Sequence, residues 1–149
     1  MPQSLSQIYI HVVFATKGRA KLLQNEDIRQ GVHAYIAGIC GKLGCYGRKV
    51  GGTEDHVHIL VNLNRNKALA DVIREIKKSS TKKVKKDGLE GFGWQAGYSA
   101  FSVSESNLNR VVKYIGSQKE HHKKMTLEEE IRLLLEKHNV NYEPDYLFD

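Results

Sequence analysis

The stretch that most constrains this chain is Glu54-Asp55-His56-Val57-His58-Ile59-Leu60-Val61. Val57, Ile59, Val61 and Leu63 recur at every second position, the period of a β-strand, whose successive side chains point to opposite faces. These four apolar residues therefore share a core-facing side, and His56 and His58 share the other. Two imidazoles roughly 6–7 Å apart at Cα by strand rise can close on one metal ion when a third ligand approaches. Taken alone, His-x-His is equally a pair of surface histidines on a half-exposed strand. The decision rests on residues much later in the chain.

Around this strand the periodicities alternate between two and 3.6 residues. Gln7 to Thr16 reads as a strand with Ile8, Ile10, Val12 and Phe14 on one face and Tyr9, His11 and Val13 on the other, so His11 shares a face with the histidine pair. Asn25 is an N-cap followed by Glu26 and Asp27 in the first helical turn. Ile28, Val32, Tyr35, Ile36 and Ile39 give that helix its stripe, and Gly41 and Gly44 end it. Tyr46 to Val50 is a short strand, with Gly51-Gly52 turning into the histidine strand. A long lysine-rich helix starts near Ala68 with Leu69, Val72, Ile73, Ile76 and Val84 at helical spacing. Ala96 to Val103 is a fourth strand. A helix follows from about Asn107 to Lys123, and a last one begins at Thr126, with Thr126 and Glu129 in capping-box spacing.

The order β-α-β-β-α-β plus two C-terminal helices is an α+β, ferredoxin-like or RRM-like antiparallel sheet. The first and third strands are then central neighbours, with helices on one sheet face and the histidines on an open one. Length places all of residues 1–149 in one domain. No apolar run approaches the ~20 residues of a membrane span, and no signal peptide is visible, so the expected compartment is the cytoplasm. Cys40 and Cys45 read as free thiols.

A net charge of +6 is unevenly spread. Lys77, Lys78, Lys82 and Lys83 crowd one helix, while acid collects in Glu128, Glu129, Glu130 and the C-terminal tail. A basic face attracts nucleic acid, although a lysine run is also simply a solvated helix face.

Tyr114, Gln118 and His122 are spaced i, i+4, i+8 and so line one helix face, while Leu108, Val111, Val112 and Ile115 look elsewhere. A packed aromatic with a wet hydroxyl would explain Tyr114 alone. Set against the histidine pair, the three make chemical sense. Gln118 supplies a carbonyl oxygen as third metal ligand, and Tyr114 is a nucleophile one turn away.

His56-Val57-His58 on a central strand, followed by Tyr114-Ile115-Gly116-Ser117-Gln118 on a late helix, resembles the single-tyrosine HUH transposases of bacterial and archaeal insertion sequences, the IS200-like group. REP-associated transposases are relatives. The likeness extends to Ile10-His11-Val12-Val13-Phe14, to Lys17-Gly18-Arg19 and to Trp94-Gln95. It implies a nuclease and strand transferase for single-stranded DNA in which Tyr114 forms a 5′-phosphotyrosine link and releases a 3′-hydroxyl. It further implies Mg²⁺ or Mn²⁺ on His56, His58 and Gln118, hairpins at transposon ends as substrate, and a homodimer whose active sites are completed in trans. From ligand type, Mn²⁺ ranks above Mg²⁺, because imidazole is a poor Mg²⁺ ligand. His11, Glu54 and His122 are expected to support the site, and Lys77, Lys78, Lys82, Lys83 and Arg19 to bind DNA.

Two other readings use the same residues. An RRM-like nucleic-acid-binding module without catalysis would carry stacking aromatics where this strand carries histidines. A metal-dependent hydrolase would use a metal-bound water and leave Tyr114 structural.

Overall fold

The computed structural model describes residues 2–149. Four antiparallel strands form one sheet in the order β2-β3-β1-β4. They are β1 (Tyr9–Ala15), β2 (Tyr46–Gly52), β3 (His56–Asn62) and β4 (Ser99–Val103). The helices are α1 (Glu26–Lys42), α2 (Leu69–Lys86), α3 (Leu108–Gly116), α4 (Gln118–His121) and α5 (Leu127–Lys137). As expected for the ferredoxin-like order, β1 and β3 are central neighbours, with Val13 opposite His58 and Ala15 opposite His56. Among the described residues no helix is long and apolar enough to cross a membrane.

The alternation of β1 and β3 places Val12, Phe14, Val57, Ile59 and Val61 against α1 and α2, where they form the main core with Val32, Ile36, Ile73 and Ile76. Asn25 caps α1, accepting from the Ile28 backbone N–H at 3.1 Å. The helix closes at Leu43, and Gly44 follows at φ 71°, a left-handed turn that a side chain would strain. Tyr35 does not join the α1 stripe and is exposed; Arg29 is buried instead, its guanidinium donating to Leu23 O at 2.8 Å. Gly51 and Gly52 belong to β2 and are not a turn. At Gly51 a Cβ would lie 2.6 Å from Ile115 O, so the glycine lets α3 pack directly on the sheet edge.

Trp94 and Gln95 are structural anchors. The indole donates to Ser80 Oγ at 2.9 Å and meets Phe14 edge-on, and Gln95 Oε1 accepts from Ala15 N at 2.7 Å.

The histidine face is not open. Tyr9, Leu60, Leu108 and Ile115 pack together there, and Val13, Ala15 and Phe101 pack on Leu127, Ile131 and Leu135. Helices α3 and α5 thus close the second face, leaving His56 and His58 with no exposed surface. The physical reason is visible in β1, β3 and β4. Val13, Leu60 and Phe101 point to the same side as the histidines, and burying each is worth about 1.5–3 kcal/mol.

Candidate active site

β3 alternation directs both histidines under α3 and α5, and the turn before β3 holds the first of them. His56 Nδ1 lies 2.8 Å from Asp55 Oδ1 and 3.1 Å from Thr53 Oγ1. Donating Nδ1–H to that carboxylate leaves the Nε2 lone pair facing Gln118 Oε1 at 2.9 Å. Two acceptors aimed at one another are the arrangement a cation relieves. A carboxylate fixing the far nitrogen of a histidine is a common support for a metal ligand.

His58 is held from both sides. Its Nδ1 is 2.8 Å from His11 Nε2, and its Nε2 is 3.2 Å from Glu130 Oε1. Burial lowers its pKa to about 4, and burial together with the neighbouring His58 lowers that of His11 to about 3, so both are neutral imidazoles at pH 7. If His58 gives its Nε2 lone pair to a cation, its Nδ1–H turns toward His11 Nε2, which accepts it.

Glu130 is not evident from the sequence, where it counts with the surface acids. It is 1% exposed, three residues after Leu127 and one before Ile131, inside the buried stripe of α5. Its Oε1 meets His58 and also His122 Nε2 at 3.1 Å; its Oε2 accepts from Tyr114 Oη and from Gln118 Nε2 at 3.1 Å. Burial alone would raise its pKa, yet the hydrogen bonds from His122 and His58 hold the carboxyl well below the usual carboxylate range. Tyr114 shifts the other way: burial and the Glu130 charge push the phenol well above its ordinary range.

His56, His58 and Glu130 each offer a ligand atom within 4.8 Å of the others. Two imidazoles, a carboxylate and the Gln118 carbonyl oxygen suit a divalent cation of intermediate hardness, so the residues present fit the ion that the family resemblance implies. Glu130 thereby adds an anionic donor to the expected set.

Of the supporting residues expected from sequence, His11 and His122 touch the site. Glu54 is outside the hydrogen-bonded cluster, its backbone carbonyl accepting from Leu23 N at 2.9 Å, and it lines the cleft that leads to His122; Asp55 takes the place beside His56. Tyr114 and Gln118 lie on two helices rather than one, because the chain kinks at Ser117 (φ −106°, ψ 22°). Gln118 nonetheless stays over Tyr114, its Nε2 3.5 Å from the Tyr114 carbonyl.

The basic residues divide. Arg19, Lys123 and Lys124 line a cleft of about 670 Å³ that reaches His122 and Asp55, and the Arg19 guanidinium also sits 4.5 Å over the Phe148 ring. Lys78, Lys82 and Lys83 are on α2, across the sheet from the histidines, and Lys83 pairs with Asp87 at 2.9 Å. Lys77 departs from its expected role. Its ammonium donates to the carbonyls of Gln95, Ala96 and Gly97 at 2.8, 3.1 and 2.7 Å, and burial lowers its pKa to about 8. With three donors committed to backbone, it tethers the segment entering β4.

Comparison with known proteins identifies the family and supports the fold. Residues 4–118 match the family model described as transposase, IS200-like. The ISDra2 transposase TnpA of Deinococcus radiodurans is 26% identical over 119 residues, which make up 75% of this chain and 84% of that protein. A solved structure described as a transposase from Deinococcus radiodurans R1 superposes with TM-score 0.64 at 20% identity, covering 79% of this chain and 98% of that one. A REP-associated tyrosine transposase bound to a REP hairpin gives TM-score 0.60 at 17% identity, covering 82% and 72%. Those two structures share the fold, and the family match spans most of the chain, including His56, His58, Tyr114 and Gln118. The chain belongs to the IS200-like transposases.

Proposed function

We propose that the whole chain acts as one transposase domain that cleaves and rejoins single-stranded DNA through Tyr114. The observation that carries this is the hydrogen-bonded cluster linking the Tyr114 hydroxyl, through Glu130, to His56, His58 and Gln118. A bare phenol is protonated at neutral pH and a poor nucleophile. Here Glu130 Oε2 accepts its hydrogen bond and fixes the direction of Tyr114 Oη; the phenol gives up its proton to solvent as Oη attacks the scissile phosphorus, a loss that a cation beside Glu130 would ease by offsetting that charge. The new Oη–P bond replaces the P–O3′ bond, leaving a 5′-phosphotyrosine and a 3′-hydroxyl once the departing oxygen takes a proton. Attack by another 3′-hydroxyl reverses the step, so joining needs no nucleotide cofactor.

Mg²⁺ or Mn²⁺, held by His56, His58, Glu130 and Gln118, would offset negative charge on the phosphate and orient it. His11 and Asp55 keep the two imidazoles turned toward that position. Arg19, Lys123 and Lys124 offer phosphate contacts in the cleft beside His122, whose lining also carries Glu54, Asp55 and Glu129.

Hairpins at transposon ends as substrate follow from the family, and from a neighbour whose structure contains a REP hairpin. Within one chain the Tyr114 hydroxyl reaches Glu130, so a site complete within one subunit is sterically allowed. The family resemblance favours a homodimer with exchanged tyrosine helices. Mixing His56→Ala with Tyr114→Phe separates them, since only exchanged sites regain cleavage in the heterodimer.

The test of the function is cleavage of oligonucleotides from the flanks of this gene with Mn²⁺ present. Cutting of the single strand and not of its duplex is expected. Equal cutting of both, or of neither, would contradict the proposal.

A further inference from the structure

A second cavity, lined by Tyr114, shares no lining residue with the cleft beside His122. It has a volume of about 400 Å³ and is bounded by β4, α3 and the end of α5. Its walls are aromatic and its rim is basic. Tyr114 forms one wall. Phe101 and His138 form another, their ring centroids 4.5 Å apart and their planes inclined by 31°. Arg110, Lys137 and Asn107 stand exposed at the rim.

Several features suit this cavity to a ligand rather than to filling by the protein. Arg110 and Lys137 take part in none of the ion pairs among the described residues, so their charge is uncommitted. His138 donates Nδ1–H to Leu134 O at 2.9 Å, which fixes the ring and leaves Nε2 free to accept. Asn107 offers both an amide donor and a carbonyl acceptor, the pair that reads the edge of a base. Aromatic faces beside cationic side chains are the general means of holding single-stranded nucleic acid, since every base has a π-face and every link a phosphate.

We propose that this cavity is a nucleotide pocket. It takes one unpaired nucleotide adjoining the scissile phosphate, with the base against His138 and Tyr114 and the backbone phosphate between Arg110 and Lys137. The proposal rests on the reading of the chain as a single-strand nuclease. It adds that the protein itself grips the strand on the Tyr114 side. The strand is then held at Tyr114 itself, by a cavity with a basic rim that adjoins the nucleophile.

The test is photocrosslinking with wild-type protein in EDTA, so that no cleavage occurs. Single strands carrying 5-iodouracil at one position at a time are irradiated, and the attached peptide is identified by mass spectrometry. One position next to the cleavage site should attach to the segment holding Lys137 and His138 or to that holding Phe101. In parallel, the Arg110→Gln, Lys137→Gln double variant should bind the strand about tenfold more weakly. Its log-affinity against log-salt slope should be smaller by about 0.7 for each phosphate that the variant no longer neutralises. Crosslinks confined to other segments, or unchanged affinity and slope in the double variant, would overturn the pocket. Crosslinks in the pocket from a protein that never cleaves when Mn²⁺ is restored would leave the pocket standing and overturn the nuclease reading instead.

Discussion

Glu130→Gln is the perturbation that the site makes most informative, because it removes one charge and almost no volume. The carboxylate sits 1% exposed among four donors: His58, His122, Tyr114 and Gln118. An amide retains one acceptor oxygen, so in either orientation its NH₂ faces two of those donors. Hydrogen bonds to a charged group contribute about 1.5–3 kcal/mol each. Two are removed, but His58 can recover part of the deficit by exchanging tautomers with His11. A destabilisation of about 3 kcal/mol results, or roughly 6–12 °C in Tm at about 2–4 °C per kcal/mol for a chain of this size. The assay is thermal unfolding by circular dichroism in EDTA and again with Mn²⁺. A ligand at 100 times its Kd adds about 2.7 kcal/mol to the wild type. Glu130→Gln should gain little of that, since it lacks the anionic donor that the carboxylate offers the cation. A variant that melts with the wild type in EDTA and gains as much from Mn²⁺ would refute the placement of Glu130 in the cluster.

Two further predictions follow from the charges. Stability should fall as pH drops from 7 to 5. His58 and His11 have folded pKa values of about 4 and 3, so the unfolded chain takes up protons near 6.5 that the fold refuses. At pH 5 this costs about 2 kcal/mol for each. His122 works against it, because Glu130 raises its pKa, so its contribution is fully present below 6.5 and is lost as pH rises through its folded value. Urea unfolding at both pH values checks the balance, and equal or greater stability at pH 5 would contradict it. Lys78→Glu with Lys82→Glu should weaken binding of long DNA and flatten its salt dependence without slowing cleavage of a saturating short strand, since α2 lies across the sheet from Tyr114. Slower cleavage at saturation would mean that α2 touches the reacting strand.

Most of the site is legible in the residues because its parts obey local periodicities. His56 and His58 share a face by the two-residue period of β3, and Tyr114 and Gln118 share one by helical spacing that survives the kink at Ser117. Glu130 is hidden in the run Glu128-Glu129-Glu130, where composition says surface. Only its phase between Leu127 and Ile131 marks it as inward. The covered second face follows from Leu60, Val13 and Phe101, apolar residues on the histidine side whose partners on α3 and α5 are fixed by tertiary packing. Lys77 cannot be told from its neighbours by pattern. Six lysines share α2, and only the approach of Gln95 to Gly97 selects one of them.

If Tyr114 is the group that attacks the phosphate, a phosphotyrosine forms and can be isolated. Wild-type protein incubated with Mn²⁺ and a single strand labelled on the 3′ side of the cleavage site is denatured, digested and sequenced by mass spectrometry. The expected products are a DNA 5′-phosphate joined to the peptide containing Tyr114 and a free 3′-hydroxyl on the other fragment, with neither from Tyr114→Phe. Cleavage that leaves no protein–DNA bond, or an adduct that persists in Tyr114→Phe, would contradict attack by Tyr114.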